Sequence, residues 1–217
     1  LGGSPMERWN PKDGDLYLNM VDKIHQTGGR YAGVLWYQGC SDTNPGPAEK
    51  YLEHFREYVE ATRKELGYKI PFFTMQLNRQ INGINDECWG MVRDAQARAA
   101  KEIPGVSVLT TSNLSLCDGI HNTAQANVAL GEKLAKQCAH VLNGKEEYQP
   151  PELVKVERAD EAERKSFQLE GSGIWLKLTC DHVKNCFLVY SAVGKDSGFT
   201  LTDSEGEVES DVQCGDT

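Results

Sequence analysis

The stretch YAGVLWYQ at 31–38 is continuous, apolar and rich in residues that favour β-strands. It ends in GCSDTNPGP at 39–47, a run of residues that favour turns. A short apolar run closed by turn residues is typical of a strand buried in a sheet. We therefore predict a buried strand at 31–38 that opens into a loop at Gly39.

Strands and helices alternate after this first strand. Further apolar strands are predicted at 70–77 (IPFFTMQL) and 106–111 (VSVLTT). Helical spacing of apolar residues predicts three helices between and after them. Their apolar faces are Tyr51, Leu52, Phe55, Tyr58, Val59 and Leu66 in the first, Trp89, Val92, Ala95, Gln96 and Ala99 in the second, and Ala124, Val128, Ala135, Cys138 and Leu142 in the third.

This alternation predicts an α/β fold, in which helices cover both faces of a parallel sheet. Ligands of such sheets bind outside the carboxyl ends of the strands. The loops that carry Gln38 and Asp118 fall at these ends, so we expect the functional site there.

The pattern changes near Pro150 and Pro151, beyond which short alternating runs such as IWLKLT at 174–179 and CFLVY at 186–190 predict β structure without helices. We therefore expect two parts, an α/β domain over 1–148 and an incomplete β-rich accessory segment over 149–217. Cys180 and Cys186 bracket a predicted hairpin and are the best candidates for a disulfide.

Composition excludes several classes of partner. With 23 basic and 32 acidic residues the net charge is -9, and no Lys/Arg cluster offers a surface for nucleic acid. No run of about 18 apolar residues predicts a membrane span. The seven cysteines are scattered, and the five histidines are too far apart in the sequence to indicate a metal site, so we expect no metal and no cofactor.

Asp118 and His121 lie three residues apart in CDGIHNT, just before the last helix. In a hydrolase, a histidine takes the proton of a nucleophile and returns it to the leaving group, while an aspartate fixes the imidazole tautomer. A turn at this spacing can aim both side chains at the strand-end cleft. The alternative is that Asp118 caps a turn and His121 is an ordinary surface residue.

Five segments in this order resemble the SGNH hydrolases, and in particular the sialate O-acetylesterase-like carbohydrate esterases. They are GGSPMERW at 2–9, GVLWYQGCSD at 33–42, IPFFTMQL at 70–77, ECWGMVRDAQ at 87–96 and DGIHNT at 118–123. The resemblance spans about 1–145. It implies a three-layer α/β/α, flavodoxin-like sheet and a serine esterase that removes acetyl groups from sugars.

The resemblance also implies a role for each matching residue. His121 would be the general base and then the general acid, with Asp118 as its orienting carboxylate. The oxyanion hole would include the amide of Gly3 and the side chain of Gln38. The alternatives are a flexible end at Gly2 and Gly3, and a loop-closing hydrogen bond at Gln38. We expect Trp36 to belong to the core rather than to a sugar platform.

Two features depart from the family pattern. Cys40 stands where relatives carry an acidic residue, so we expect a carboxylate contact to be missing from this loop. The Gly-Gln-Ser-Asn motif that carries the family's nucleophile is absent, and Ser4 matches a different family block. We therefore expect the serine to come from an N-terminal segment that is missing from the chain or belongs to a separate polypeptide.

The resulting expectation is a carbohydrate O-acetylesterase that acts on sialic acid or other acetylated sugars. Its partners would be the O-acetylated carbohydrate and an N-terminal polypeptide of the same protein. The resemblance favours a secreted, periplasmic or lysosomal setting. One alternative is a non-catalytic carbohydrate-binding or structural fragment, and another is a thiol hydrolase that uses Cys40.

Overall fold

Two units make up the chain, Leu1–Tyr148 and Gln149–Thr217. The computed structural model describes residues 2–144, 152–166, 175–181, 201–203 and 206–208. The first unit contains the helices α1 (Asp15–Thr27), α2 (Pro47–Leu66), α3 (Asp86–Glu102) and α4 (Ala124–Asn143), the strands β1 (Val34–Trp36), β2 (Phe72–Met75) and β3 (Val106–Leu109), and short 3-10 turns at Met6–Trp9 and Cys40–Asp42.

The three strands form a parallel sheet in the order β1-β2-β3. Phe72 of β2 aligns with Val34 of β1 and with Val106 of β3. Successive residues of a strand point to opposite faces of the sheet. Phe72 accordingly joins the larger apolar cluster, which contains residues of α1, α2 and α3, and Met75 joins a smaller cluster with residues of α4. The predicted α/β fold with apolar cores on both faces of a parallel sheet is confirmed.

Helix α2 shows why these residues form a helix. Pro47 occupies the first turn of this helix. Backbone N–H groups in the first turn have no acceptor within the helix, so the absence of an N–H in proline costs no hydrogen bond there. The Glu49 carboxylate accepts a hydrogen bond from the Gly46 amide at 2.6 Å, and the helix ends at Gly67 with φ 75°. Most of the predicted apolar face is buried, with Tyr51, Phe55, Tyr58 and Val59 each at most 1% exposed.

Aromatic rings fill the core between α2 and the sheet. The indole of Trp36 lies 4.6 Å from the Tyr58 ring and 5.0 Å from the Trp9 ring, measured between centroids. Trp36 is 5% exposed, so the expectation that it belongs to the core is confirmed.

The predicted apolar face of α4 is wrong. The helix buries Ala126 and Leu130, whereas Val128 of the predicted face is 66% exposed. Alanines occur at many positions of this helix, so its apolar periodicity fits more than one stripe.

The second unit contains an antiparallel pair of strands, β4 (Glu152–Arg158) and β5 (Leu176–Asp181), and a short pair, β6 (Leu201–Asp203) and β7 (Gly206–Val208). The expectation of β structure without helices is wrong at α5 (Glu161–Ser166), a single short helix between β4 and β5. The predicted strand at 186–190 and the partner Cys186 of the predicted disulfide lie outside the described residues.

The sheet has two edge strands in the part of the chain that the structure describes, β1 and β3. Strand β1 pairs with β2 on one side, and no described strand lies on its other side. Leu35, in the middle of β1, is 59% exposed. An apolar side chain beside unpaired backbone groups marks an edge that can accept another strand.

No helix among the described residues is long and apolar enough to cross a bilayer.

Candidate active site

The loop between β3 and α4 carries Asp118 and His121 on a tight hairpin. The Cys117 amide donates to the His121 carbonyl at 2.9 Å, and the Thr123 amide donates to the Ser115 carbonyl at 3.0 Å. The side chain of Thr123 then accepts a hydrogen bond from the Ala126 amide and caps α4. The hairpin is therefore fixed at its base, and α4 starts immediately after it.

Asp118 uses its two carboxylate oxygens for different tasks. Oδ1 accepts the backbone amides of Ile120 at 2.8 Å and His121 at 2.7 Å. Oδ2 lies 2.8 Å from His121 Nδ1. The two bonds from the backbone amides stabilise the turn, and the contact of Oδ2 with Nδ1 orients the imidazole. Nε2 is therefore the ring nitrogen that Asp118 leaves available for proton transfer.

A cavity of about 630 Å³ brings most of the predicted site residues together. Its lining includes His121, Gly3 and Gln38, together with Gly2 and Ser4. Asp118 contacts His121 from outside this lining. The cavity runs along β1 from Val34 and extends past the carboxyl end of this strand to Ser41. The carboxyl ends of the strands are where parallel α/β sheets bind their ligands.

Gln38 donates both hydrogens of its side-chain amide within the protein. Nε2 donates to the Ser4 carbonyl at 2.9 Å and to the carboxylate of Asp42, while Oε1 accepts from the Tyr51 hydroxyl at 3.1 Å. These contacts match the alternative interpretation of Gln38, in which its side chain makes hydrogen bonds that close the loop after β1. Gly3 has φ 67°, a left-handed conformation that glycine adopts at low cost.

A comparison with known protein families identifies the family of the chain. The family model described as carbohydrate esterase, sialic acid-specific acetylesterase, matches residues 1–140. The chain belongs to this family of carbohydrate esterases. The resemblance found in the sequence is thereby confirmed.

Two relatives show how far the match extends. A probable carbohydrate esterase from Arabidopsis thaliana is 29% identical over 141 residues, which are 62% of this chain and 51% of that protein. The X-ray structure of the same Arabidopsis protein gives a TM-score of 0.57 at 27% identity, covering 65% of this chain and 58% of its own. The crystal structure of a carbohydrate acetylesterase from Xanthomonas citri gives a TM-score of 0.61 at 26% identity. The match covers 72% of this chain and 39% of that chain. This chain thus spans about half the length of the curated relative that it matches.

Two residues of the chain that were considered as nucleophiles have unfavourable surroundings. Burial raises the pKa of the Cys40 thiol, and the nearby carboxylates of Asp118 and Asp42 raise it further. A neutral thiol is a poor nucleophile, so the thiol-hydrolase alternative loses support. Ser4 is 6% exposed, and its hydroxyl oxygen accepts a hydrogen bond from Trp9 Nε1 at 3.2 Å.

Two buried asparagines support the hairpin and were missed in the sequence. Asn78, which is 1% exposed, follows β2 and donates to the Leu114 carbonyl at 3.2 Å and to Asn122 Oδ1 at 2.6 Å. Asn122 directly follows His121 and donates to the Tyr37 hydroxyl at 3.1 Å. The place of Asn78 after a buried strand was the signal that could have identified it.

The residues that the structure describes contain no group of three or more His, Cys, Asp or Glu side chains that could hold a metal ion.

The titration of Asp118 tests the geometry of the hairpin. The backbone amides of His121 and Ile120, followed by the His121 side chain, lower the pKa of Asp118 from 3.8 to about 2. A depressed pKa stabilises the folded state above pH 3.8, and this contribution should be lost as the pH falls toward about 2. Carbon-13 NMR of the Asp118 carboxyl group should show a midpoint well below that of the urea-unfolded chain.

The variant His121→Ala separates the two sources of this shift. It removes the imidazole but keeps both backbone amides, so the pKa of Asp118 should rise only part of the way toward 3.8. A midpoint at 3.8 in the wild-type chain would show that the amides do not hold the carboxylate in solution.

Proposed function

We propose that this chain supplies the acid-base pair of a serine-dependent carbohydrate O-acetylesterase. The observation that carries the proposal is the Asp118–His121 hydrogen bond at 2.8 Å, with His121 lining the same cavity as Gly3 and Gln38. An oriented histidine beside backbone and side-chain amides is the arrangement that acyl transfer requires.

His121 acts twice in this reaction. It accepts the serine proton on Nε2 as the serine oxygen attacks the acetyl carbonyl, and it returns that proton to the sugar oxygen as the ester bond breaks. Water then attacks the acetyl-serine, again with His121 as base, and acetate and free serine are released. Asp118 stays ionised throughout, because its pKa of about 2 lies far below neutral pH, and it stabilises the charged imidazolium.

Gly3 and Gln38 face the negative charge that develops on the carbonyl oxygen. Gly3 lines the cavity and offers its backbone N–H as the donor. The Gln38 hydrogen that is directed at the Ser4 carbonyl is the one that would be shared with the oxyanion. Each such donor is worth about 10²–10³ in rate.

The nucleophilic serine comes from an N-terminal segment of the same protein that is either missing here or a separate polypeptide. Three observations support this part of the proposal. The Gly-Gln-Ser-Asn motif is absent from the sequence, and the hydroxyl of Ser4 contacts Trp9. The cavity also follows β1 from Val34 to Gly39 along the exposed Leu35. A strand added beside β1 would end near His121.

The proposed substrate class is supported by the family to which the chain belongs. We assign an O-acetylated carbohydrate, either acetylated sialic acid or another acetylated sugar, in a secreted, periplasmic or lysosomal setting. The family match and the Xanthomonas citri acetylesterase support the acetylated sugar. The setting is supported by the family resemblance alone.

A fluorophosphonate probe tests the proposal, because it reacts with activated serines. The protein isolated from its source should be labelled, and peptide mapping should find the label in a Gly-Gln-Ser-Asn peptide outside the 217 residues of this sequence. Intact mass should show whether that peptide belongs to the same polypeptide. Acetate release from an acetylated sugar should stop when labelling is complete.

Other labelling results would contradict specific parts of the proposal. A label on Ser4 would place the nucleophile inside this chain, and inactivation by thiol alkylation at Cys40 would favour the thiol hydrolase. No label and no acetate release would favour a non-catalytic carbohydrate-binding fragment.

A further inference from the structure

We propose that Asp42 is the positioning residue of the oxyanion side of this site, because it accepts a hydrogen bond from Gln38 Nε2 and so fixes the orientation of the Gln38 amide. This inference rests on the proposed function of Gln38. Asp42 is 2% exposed and ends the 3-10 turn Cys40–Asp42 that follows β1. Asp42 does not itself line the cavity, so it acts there through Gln38, a lining residue that it binds.

The Asp42 carboxylate joins two segments that are distant in the sequence. Its two oxygens accept the Met6 amide at 2.9 and 3.2 Å, and Oδ2 also accepts from Gln38 Nε2. Burial raises the pKa of Asp42, whereas the hydrogen bonds from Met6 and Gln38 lower it. A carboxylate in such a place costs free energy unless donors surround it, and these contacts provide the donors.

The polarity of these contacts determines the orientation of Gln38. A carboxylate can only accept hydrogen bonds, so the Nε2 end of Gln38 must face Asp42. Oε1 then points at the Tyr51 hydroxyl, which donates to it at 3.1 Å. The reversed amide would place an oxygen against both Asp42 and the Ser4 carbonyl. The orientation that serves an oxyanion is therefore the one that Asp42 enforces.

Asp42 also fixes the distance between the two oxyanion donors. Gln38 donates a hydrogen bond to the Ser4 carbonyl, and Asp42 accepts one from the Met6 amide. These two hydrogen bonds fix the segment that follows Gly3. The buried side chain of Met6 provides a third contact that fixes this segment. A carboxylate does contact this loop two residues after Cys40, at Asp42.

The variant Asp42→Asn tests this role without changing the size of the side chain. One of its two terminal atoms becomes an NH₂ group, which must face either the Met6 amide or Gln38 Nε2, and a pair of donors repel each other. We expect the Gln38 side-chain amide resonances to shift in nitrogen-15 NMR of this chain. In the complete esterase we expect kcat to fall by about tenfold to 10²-fold, with KM changed much less.

A double-mutant cycle separates positioning from general loosening. If Asp42 acts through Gln38, Asp42→Asn should add little to the kcat loss of Gln38→Ala, whereas independent effects would multiply. Asp15→Asn is the matched control, because Asp15 is an exposed aspartate whose carboxylate pairs with Arg8 away from the cavity. It should leave both kcat and the Gln38 resonances unchanged.

Several outcomes would overturn the inference. Unchanged Gln38 resonances in Asp42→Asn, or multiplicative losses in the cycle, would show that Asp42 does not orient the amide. Should the variant fail to fold, a through-hydrogen-bond coupling between Gln38 Nε2 and the Asp42 carboxyl carbon can be measured in the wild-type chain, and its absence overturns the inference. If the resonances shift but the wild-type esterase releases no acetate, the proposed function fails while the positioning stands.

Discussion

Replacing His121 with alanine should lower kcat/KM for acetyl ester hydrolysis by about 10⁴-fold or more in the complete esterase. The reason is that no other group bound to Asp118 can move the serine proton, since the remaining contacts of that carboxylate are backbone amides. The measurement is acetate release from an acetylated sugar, followed over substrate concentrations that give kcat and KM separately. The loss should appear mainly in kcat, because proton transfer occurs after binding.

His25→Ala is the matched control for this variant. His25 is an exposed histidine on α1, and its Nε2 lies 2.6 Å from Glu65 Oε1, away from the cavity lining. Its removal deletes the same side chain without touching the hairpin, so activity should stay at the wild-type level. Equal losses in the two variants, or activity retained in His121→Ala, would show that His121 is not the acid-base residue.

The strands and helices around the site were predictable because their signals are local. The apolar runs at 31–38, 70–77 and 106–111 contain β1, β2 and β3, although the paired strands are only three or four residues long. Helix α2 was predictable from its apolar spacing and its closing Gly67. Helix α1 was not predicted, although Tyr17, Met20 and Val21 of this helix pack in the larger apolar cluster.

The residues of the candidate site also differ in whether local sequence signals could predict them. Asp118 and His121 were predictable because three residues of sequence separate them and a turn suffices to join them. Asp42 was missed because its role depends on Met6, which is 36 residues away in the sequence. Asn78 and Asn122 are 44 residues apart and are likewise brought together only by the folded sheet. Hydrogen bonds of this kind leave no periodic pattern in a sequence.

The two sides of the cavity are held by different kinds of contact. On one side the hairpin is fixed by backbone amides that bind the exposed Asp118, whose side chain is 52% accessible. On the other side the buried carboxylate of Asp42 holds Gln38 and Met6. In the proposed mechanism the charge on Asp118 takes part in the chemistry itself, whereas the charge on Asp42 orients Gln38. This difference gives Asp118 the larger expected effect when each carboxylate is replaced by its amide.

Asp118→Asn should lower kcat by about 10⁴-fold while leaving the hairpin intact. The asparagine oxygen can still accept the amides of Ile120 and His121, so the turn keeps its backbone bonds. Its NH₂ group then replaces Oδ2 and faces His121 Nδ1, which must become an acceptor. The imidazole proton is thereby placed on Nε2, the nitrogen that has to receive the serine proton.

The tautomer and the rate can be measured in the same variant. Nitrogen-15 NMR of the His121 ring should show the neutral proton on Nδ1 in the wild-type protein and on Nε2 in Asp118→Asn. Thermal unfolding at neutral pH should remain cooperative in both, because the backbone contacts of the turn persist. A variant that keeps activity within about tenfold of wild type despite the changed tautomer would show that Asp118 does not orient the base. A loss of activity with an unchanged tautomer would instead assign the whole effect of Asp118 to its charge.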